Sequence, residues 1–318
     1  MVLTAVNSKS FWRAYVEENN GGATWYFGAG AASTTDHSAT EPANSAALTA
    51  DNAPFNVKQN SPWHESLQIA EEMAGQSGST KHTFISGKDG YDGKRIQYVQ
   101  NATWIDRVIA LHTNEGLLPR KSWAEVFYAS IGLYAAYGNF ITKYVLDCPS
   151  ISLGDKAYLK EEIDYRAYLV KAIATPANFA NAVAWATTAP YLTKDVVMTY
   201  DGVDYKIDSL KLTIVPVYAK GVGAGALEQK WPYFTKFESI EVEFVSQWYD
   251  SEHASDLLAT VTTNLLNTLT ITGWGKTLTL AEMKLKNKSL NIHEMPEKGE
   301  KQFSGTFEMG GATAPAIA

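Results

Sequence analysis

Residues 267–308, NTLTITGWGKTLTLAEMKLKNKSLNIHEMPEKGEKQFSGTFE, decide how this chain folds. Leu269 and Ile271 alternate with Thr268, Thr270 and Thr272, and Gly273-Trp274-Gly275 then supplies a turn. Leu278 and Leu280 alternate with Thr277 and Thr279 on the return. Lys284, Lys286 and Lys288 share one face of the next strand, with Leu290 and Ile292 after it. Pro296-Glu297-Lys298-Gly299 turns the chain again, and Phe303 and Phe307 lie in the last strand. Successive side chains of a strand point to opposite faces, so a period of two broken by Gly and Pro predicts four short antiparallel strands in a row.

Upstream of this stretch the pattern predicts strands near 195–200, 204–217 and 237–249 and a short helix near 252–264. Residues 175–191, TPANFANAVAWATTAPY, are Ala-rich with Pro176 and Pro190 near the ends, and read as a linker. Before it, strands are predicted at 140–147 and 158–170. Ser122 to Tyr137 carries a helix signature: Ser122 can cap it, Glu125 follows three residues on, and Trp123, Phe127, Ile131 and Tyr134 form a stripe that Gly138 ends. Strands are expected at 81–86, 94–100 and 103–111; in the last, Trp104 and Ile105 break the alternation and leave a helix open. Ser66 to Ala74 reads as a short helix, and residues 11–28 as a hairpin turning at Asn19 to Gly22. Residues 29–58 are rich in Ala, Ser, Thr and Asn, contain Pro42 and Pro54, and form either a surface loop or an assembly arm.

The halves repeat an order of elements. Strand, helix (Ser122–Tyr137), strand, turn and strand in the first half correspond to strand, helix (252–264), hairpin, strand, turn and strand in the second. The local match sets Glu161-Glu162-Ile163-Asp164-Tyr165 against Lys301-Gln302-Phe303-Ser304-Gly305.

Composition excludes several classes. A chain of 318 residues holds two domains or one large β domain. Its net charge of −7 argues against nucleic-acid binding by charge neutralisation, which needs clustered Lys and Arg. The single Cys148 allows no disulfide within the chain. The first twenty residues lack the apolar core of a signal peptide, and no apolar run approaches membrane-spanning length.

No pattern carries catalysis. Gly273-Trp274-Gly275-Lys276-Thr277 ends like a phosphate-binding loop, but Thr270 stands where the first glycine belongs, and the stretch joins two strands. The six histidines, His37, His64, His82, His112, His253 and His293, show no metal-ligand spacing. Paired acids such as Glu71-Glu72 and Glu161-Glu162 read as solvated faces. The chain is expected to be no enzyme and to hold no cofactor or metal.

Two charge patterns remain. Residues 238–256 hold acids and no Lys or Arg; within them Glu241 and Glu243 point away from Ile240, Val242 and Phe244. Lys284, Lys286 and Lys288 form a basic face. Either both are solvated sandwich faces, or they face different things: the acids a lumen, the lysines an acidic neighbouring subunit.

The apolar hairpin, the polar strand, the PEKGE turn and the FSGTFE strand together resemble the end of a viral tail tube protein of the long-tailed, siphovirus type. The resemblance covers 195–309 best, 80–170 less well and 1–60 hardly at all. It implies a mainly β chain with two tandem β-sandwich or β-barrel tube domains, 61–175 and 192–318, each with a flanking helix. Residues 176–191 link them, and 1–60 form a hairpin and extended arm. It further implies a virion tail assembled in the host cytoplasm from homotrimeric rings of pseudo-six-fold symmetry. Tape-measure and tail-terminator proteins are its expected partners. Viral DNA passes the lumen without specific contacts, and no membrane is involved. The tube of a contractile tail or secretion system, and a soluble β-sandwich carbohydrate-binding module or hydrolase, are the other readings.

Overall fold

The computed structural model describes residues 12–19, 25–27, 32–33, 57–73, 81–100, 102–109, 111, 122–129, 132–151, 157–167, 169–172, 189–222, 229–248, 265–286, 289–295 and 300–318. The fold is mainly β, and its strand ladders are antiparallel. A first series of elements comprises β1 (Trp12–Asn19), β2 (Trp25–Phe27), β3 (Ala32–Ser33), β4 (Val57–Met73), β5 (Lys81–Tyr98), α1 (Thr103–Ile109), β6 (Ser122–Ala129), β7 (Gly132–Cys148), β8 (Lys160–Ala167) and β9 (Leu169–Ala172). A second comprises β10 (Val197–Tyr200), β11 (Val203–Tyr205), β12 (Ile207–Val222), β13 (Gln229–Trp248), β14 (Asn267–Gly273), β15 (Lys276–Leu285), β16 (Asn291–Met295), β17 (Glu300–Met309) and β18 (Ala316–Ile317).

The Leu/Thr hairpin of this stretch behaves as its alternation requires, but the strand expected to carry Lys284, Lys286, Leu290 and Ile292 does not form as one element: β15 runs on from the hairpin to Leu285 and β16 begins at Asn291. Leu269, Ile271, Leu278 and Leu280 are buried while the threonines between them face outward. Trp274 and Gly275 join β14 to β15 with φ of 41° and 75°. Two positive φ values in a two-residue loop match the twist of the flanking strands, and Gly275 takes its value without steric cost. Asp201 and Gly202, with φ of 52° and 79°, make the same kind of turn between β10 and β11. Glu282, with φ of 55°, is the extra residue of a bulge in β15. Burial falls on Leu278 and Leu280 before it and on Met283 and Leu285 after it, so the inward face changes parity there. The bulge bends β15 from its pairing with β14 onto β17.

The same ladder order occurs twice. In the first series neighbours run β2-β1-β6-β7-β8-β5-β4, with β9 on β7. In the second they run β11-β10-β14-β15-β17-β13-β12, with β18 on β15. The registers agree at two of their shifts. In β6/β7, Trp123 faces Asn139 and Glu125 faces Ala136 across a register shift; in β14/β15, Asn267 faces Met283 and Leu269 faces Leu280 across the same shift. Each residue of the second set lies 144 positions after its counterpart, Trp123 to Asn267 and Asn139 to Met283 alike. The long hairpins agree as well: Val57↔Gln97 then Gln59↔Ile96 in β4/β5, Ile207↔Ser246 then Ser209↔Val245 in β12/β13.

One ladder joins the two series. β12 pairs on one side with β13 and on the other with the end of β7, from Leu210↔Cys148 to Ile214↔Tyr144. Tyr218 donates its hydroxyl to the Ile141 carbonyl at 2.8 Å and lies 4.7 Å from the Phe140 ring; Ser150 donates to Asp208 at 2.6 Å. A continuous sheet, β4-β5-β8-β7-β12-β13-β17, therefore crosses the chain. Its inner face carries Leu210, Leu212, Ile214, Ile240, Val242, Phe244, Phe303 and Phe307, all buried. Each such side chain contributes roughly 1.5–3 kcal/mol on leaving water.

Three further sequence expectations are corrected. Ser122 to Tyr137 is not a helix but the hairpin β6/β7, so the hairpin of the second half has its counterpart in the first. Residues 103–109 form the helix α1, whose Trp104, Ile105, Val108 and Ile109 are buried; their i, i+1, i+4, i+5 spacing is one helical face. Ser66 to Met73 belongs to β4, where cross-strand pairing with β5 overrides local helix propensity. The first hairpin is present as β1/β2. The expected helix at 252–264 and the turn at 296–299 lie outside the described residues, as do most of 29–58 and of the 176–191 linker.

Candidate functional site

The outward face of the continuous sheet is where the charged residues gather. Period-two geometry turns Lys211, Glu241, Glu243, Thr306 and Glu308 away from the apolar face, and the register brings them together: Lys211 opposite Glu243, Glu243 opposite Thr306, and Glu241 opposite Glu308. The face continues across the junction, since Lys211 also lies opposite Asp147 of β7. It continues on β8 and β5, where Lys94 pairs with Glu162 and with Asp164 at 3.8 Å, and Arg166 pairs with Asp92 at 2.6 Å.

Glu241, Glu243, Lys284 and Lys286, singled out in the sequence, share this face. Lys286 donates to Glu241 at 3.0 Å and lies 4.0 Å from Glu308, while Lys284 lies 3.5 Å from Glu308. Glu243 lies 3.9 Å from Lys211. The ammonium groups of Lys284 and Lys286 meet acids of their own chain. The reason is the bulge at Glu282: it carries the end of β15 onto β17, two strands from Glu241. Lys288 lies outside the described residues. The Glu241 contact holds the Lys286 ammonium above its ordinary range, and the Glu162 contact does the same for Lys94. Such exposed pairs fix charge positions and add little stability.

A groove of roughly 530 Å³ opens on this face at the junction of the two series. Asp147, Ser209, Lys211, Glu243, Ser304 and Thr306 are among its lining residues. Hydroxyls and the Lys211–Glu243 pair line it together with apolar residues such as Pro149 and Val245. Among the described residues no group of three or more His, Cys, Asp or Glu is placed to hold a metal ion. No helix among them is long and apolar enough to cross a membrane.

On the other side of the sheet the first series buries a polar network. Glu161 shares its inward parity with Ile163 and Tyr165 and is 2 % exposed. Gln97 donates to it at 2.6 Å and Tyr144 at 3.1 Å. Burial pushes the Glu161 carboxyl up to about 8, against the lowering pull of those two bonds and of the Arg107 charge. Burial, with Glu161 nearby, also raises the Tyr144 hydroxyl well above its ordinary range. The guanidinium carbons of Arg95 and Arg107 stand 4.8 and 4.6 Å from the Trp104 ring. Strand β5, strand β8 and helix α1 thus lock together through charge, hydrogen bond and ring contact. Reading Glu161-Glu162 as a solvated pair missed this; the parity of Glu161 with Ile163 was the available signal.

No family model matches the chain, and no curated protein matches it.

Proposed function

We propose that this chain is the repeating subunit of a viral tail tube of the long, non-contractile kind, built from two tandem tube domains. The observation that supports this reading most is the doubled ladder order with its doubled register shifts, together with a β-ladder between the two copies. A module that pairs edge to edge with its own duplicate within one chain is suited to pair with further copies across chains. On this reading residues 61–175 and 192–318 are the two domains and 176–191 the link. Of the segment 1–60, β1, β2 and the start of β4 take part in the first domain's ladder and the stretch between them adds an arm, and three chains close a ring of six pseudo-equivalent units. Rings then stack into a tube that carries viral DNA, in the virion tail, with tape-measure and tail-terminator proteins as neighbours.

The face bearing Glu241, Glu243, Lys211 and Lys286 would line the channel. It lies on the side of the sheet opposite the apolar core, and its cations are held by acids. A channel wall whose lysines are already paired offers phosphates few free charges, so DNA slides rather than sticks. The role is architectural and calls for no catalyst or cofactor. Electron microscopy of the purified protein tests the reading: rings or tubes support it, and particles that stay monomeric at high concentration sink it.

A further inference from the structure

We propose that rings close by one specific strand contact: the outer edge of β4 in one protomer adds to the outer edge of β16 in the next. This inference rests on the tubular reading and specifies the partner surface as a second copy of the chain. Within one protomer, the edge strand of the second series, β12, is covered by the end of β7. By ladder order β4 is the counterpart of β12. Among the described residues β4 pairs with β5 alone, so its outer edge lacks the cover that β12 has. The counterpart of the covering strand is also identifiable. β7 first pairs with β6 and, where β6 ends, offers the same edge to β12. In the second series β15 plays the first part and β16 the second, lying along β17 as the end of β7 lies along β8. Among the described residues β16 pairs with β17 alone. A chain that covers one such edge internally and leaves one donor and one acceptor edge at its ends is a head-to-tail unit, and head-to-tail contacts close into rings when the rotation between neighbours closes and run on as open filaments when it does not.

The register follows from the internal junction. Ser61 stands opposite Lys94 as Lys211 stands opposite Glu243. Glu161 opposite Gln97 matches Phe303 opposite Ser246. Asp147 opposite Lys160 therefore matches His293 opposite Gln302. The internal pair Lys211↔Asp147 thus becomes Ser61↔His293 between chains, and Leu210↔Cys148 becomes Asn60↔Glu294. Pro62 is the next residue of β4; its missing N–H is tolerated on an edge strand and limits how far the ladder extends.

Two double variants of the full chain test the contact: Ser61→Cys with His293→Cys, and Asn60→Cys with Glu294→Cys. Neighbouring antiparallel pairs alternate between wide and close spacing, so one of the two suits a disulfide. The native thiol, Cys148, is buried and its ionisation is suppressed, so it does not compete. Mild oxidation of the assembled protein is expected to give a non-reducing ladder that ends at three chains, and single-cysteine variants should give none. If a double variant does not assemble, an equimolar mixture of its two single-cysteine parents should give a covalent dimer. Tubes that form normally without any cross-link in either design or mixture overturn the strand assignment and leave the tubular reading standing. Wild-type protein that never assembles overturns both.

Discussion

The two series use one ladder scheme and fill it with opposite chemistry. Where the first buries Arg95, Gln97 and Glu161, the second places Phe244, Ser246 and Phe303 at the matching register positions. Ile163 and Tyr165 in the first correspond to Gly305 and Phe307 in the second. One core is a hydrogen-bonded network capped by the Trp104 ring; the other is an aromatic stack, with Phe244 5.1 Å from Phe307 and Phe307 4.4 Å from Tyr200. Strand order and the register shifts at Val57/Gln59 and Trp123/Glu125 thus recur, as Ile207/Ser209 and Asn267/Leu269, while the identity of the core changes. Pattern and register specify the sheet, and the side chains inside need only fill the volume and satisfy one another.

That contrast can be broken most forcefully in the aromatic core. Phe307→Ala removes a side chain that is fully buried and in contact with two rings; a loss of about 3–5 kcal/mol is expected, read as a drop in the urea midpoint. A loss near zero would mean that this core is not packed as described.

Glu161→Gln sharpens the other side. Because burial raises the folded-state carboxyl to about 8, the folded protein keeps a proton that the unfolded chain releases at ordinary carboxylate pH. The stability that this proton carries is full below pH 4.5, declines as pH rises, and is gone above about 8. The variant has no such proton, so unfolding curves at pH 5 and pH 9 should differ less in Glu161→Gln than in wild type, by roughly 2–5 kcal/mol. An unchanged pH dependence contradicts the burial of Glu161.

Gly305→Ala asks how tightly the aromatic core has closed around the place that Ile163 fills in the first series. An added Cβ would lie 3.1 Å from both Leu285 and Phe244, so a cost of about 1–3 kcal/mol is expected. A stabilising substitution would indicate slack packing. The smallest effect belongs to Lys286→Ala: the pair with Glu241 is solvated, and the thermal midpoint should not move. A clear drop would make the charged face a stability element.

Much of the second series was readable in the sequence because its hairpin alternates Leu or Ile with Thr and turns at Gly. Its counterpart, Ser122 to Cys148, was not. Trp123, Val126, Phe127, Tyr128, Leu133 and Tyr134 leave few polar positions to mark a period of two, while Ser122 and Glu125 imitate a helix start. That misreading hid the hairpin that holds the ladder position of β14/β15 in the first series, and the letters misplace the register: by ladder position Glu161 matches Phe303, two residues on from Lys301. α1 is only seven residues long and too short to show a repeating stripe. The charged face was legible as parity but not as pairing, since Lys286 meets Glu241 only through β17 and the bulge at Glu282.

The central claim is that the two halves are equivalent units of a closed ring. Native mass spectrometry of the smallest assembled species measures it most directly. With a chain mass of 34.9 kDa, the account predicts a closed species of three chains, about 105 kDa, and no stable ring of another number. A ring of six chains, or a chain that stays monomeric at high concentration, contradicts it.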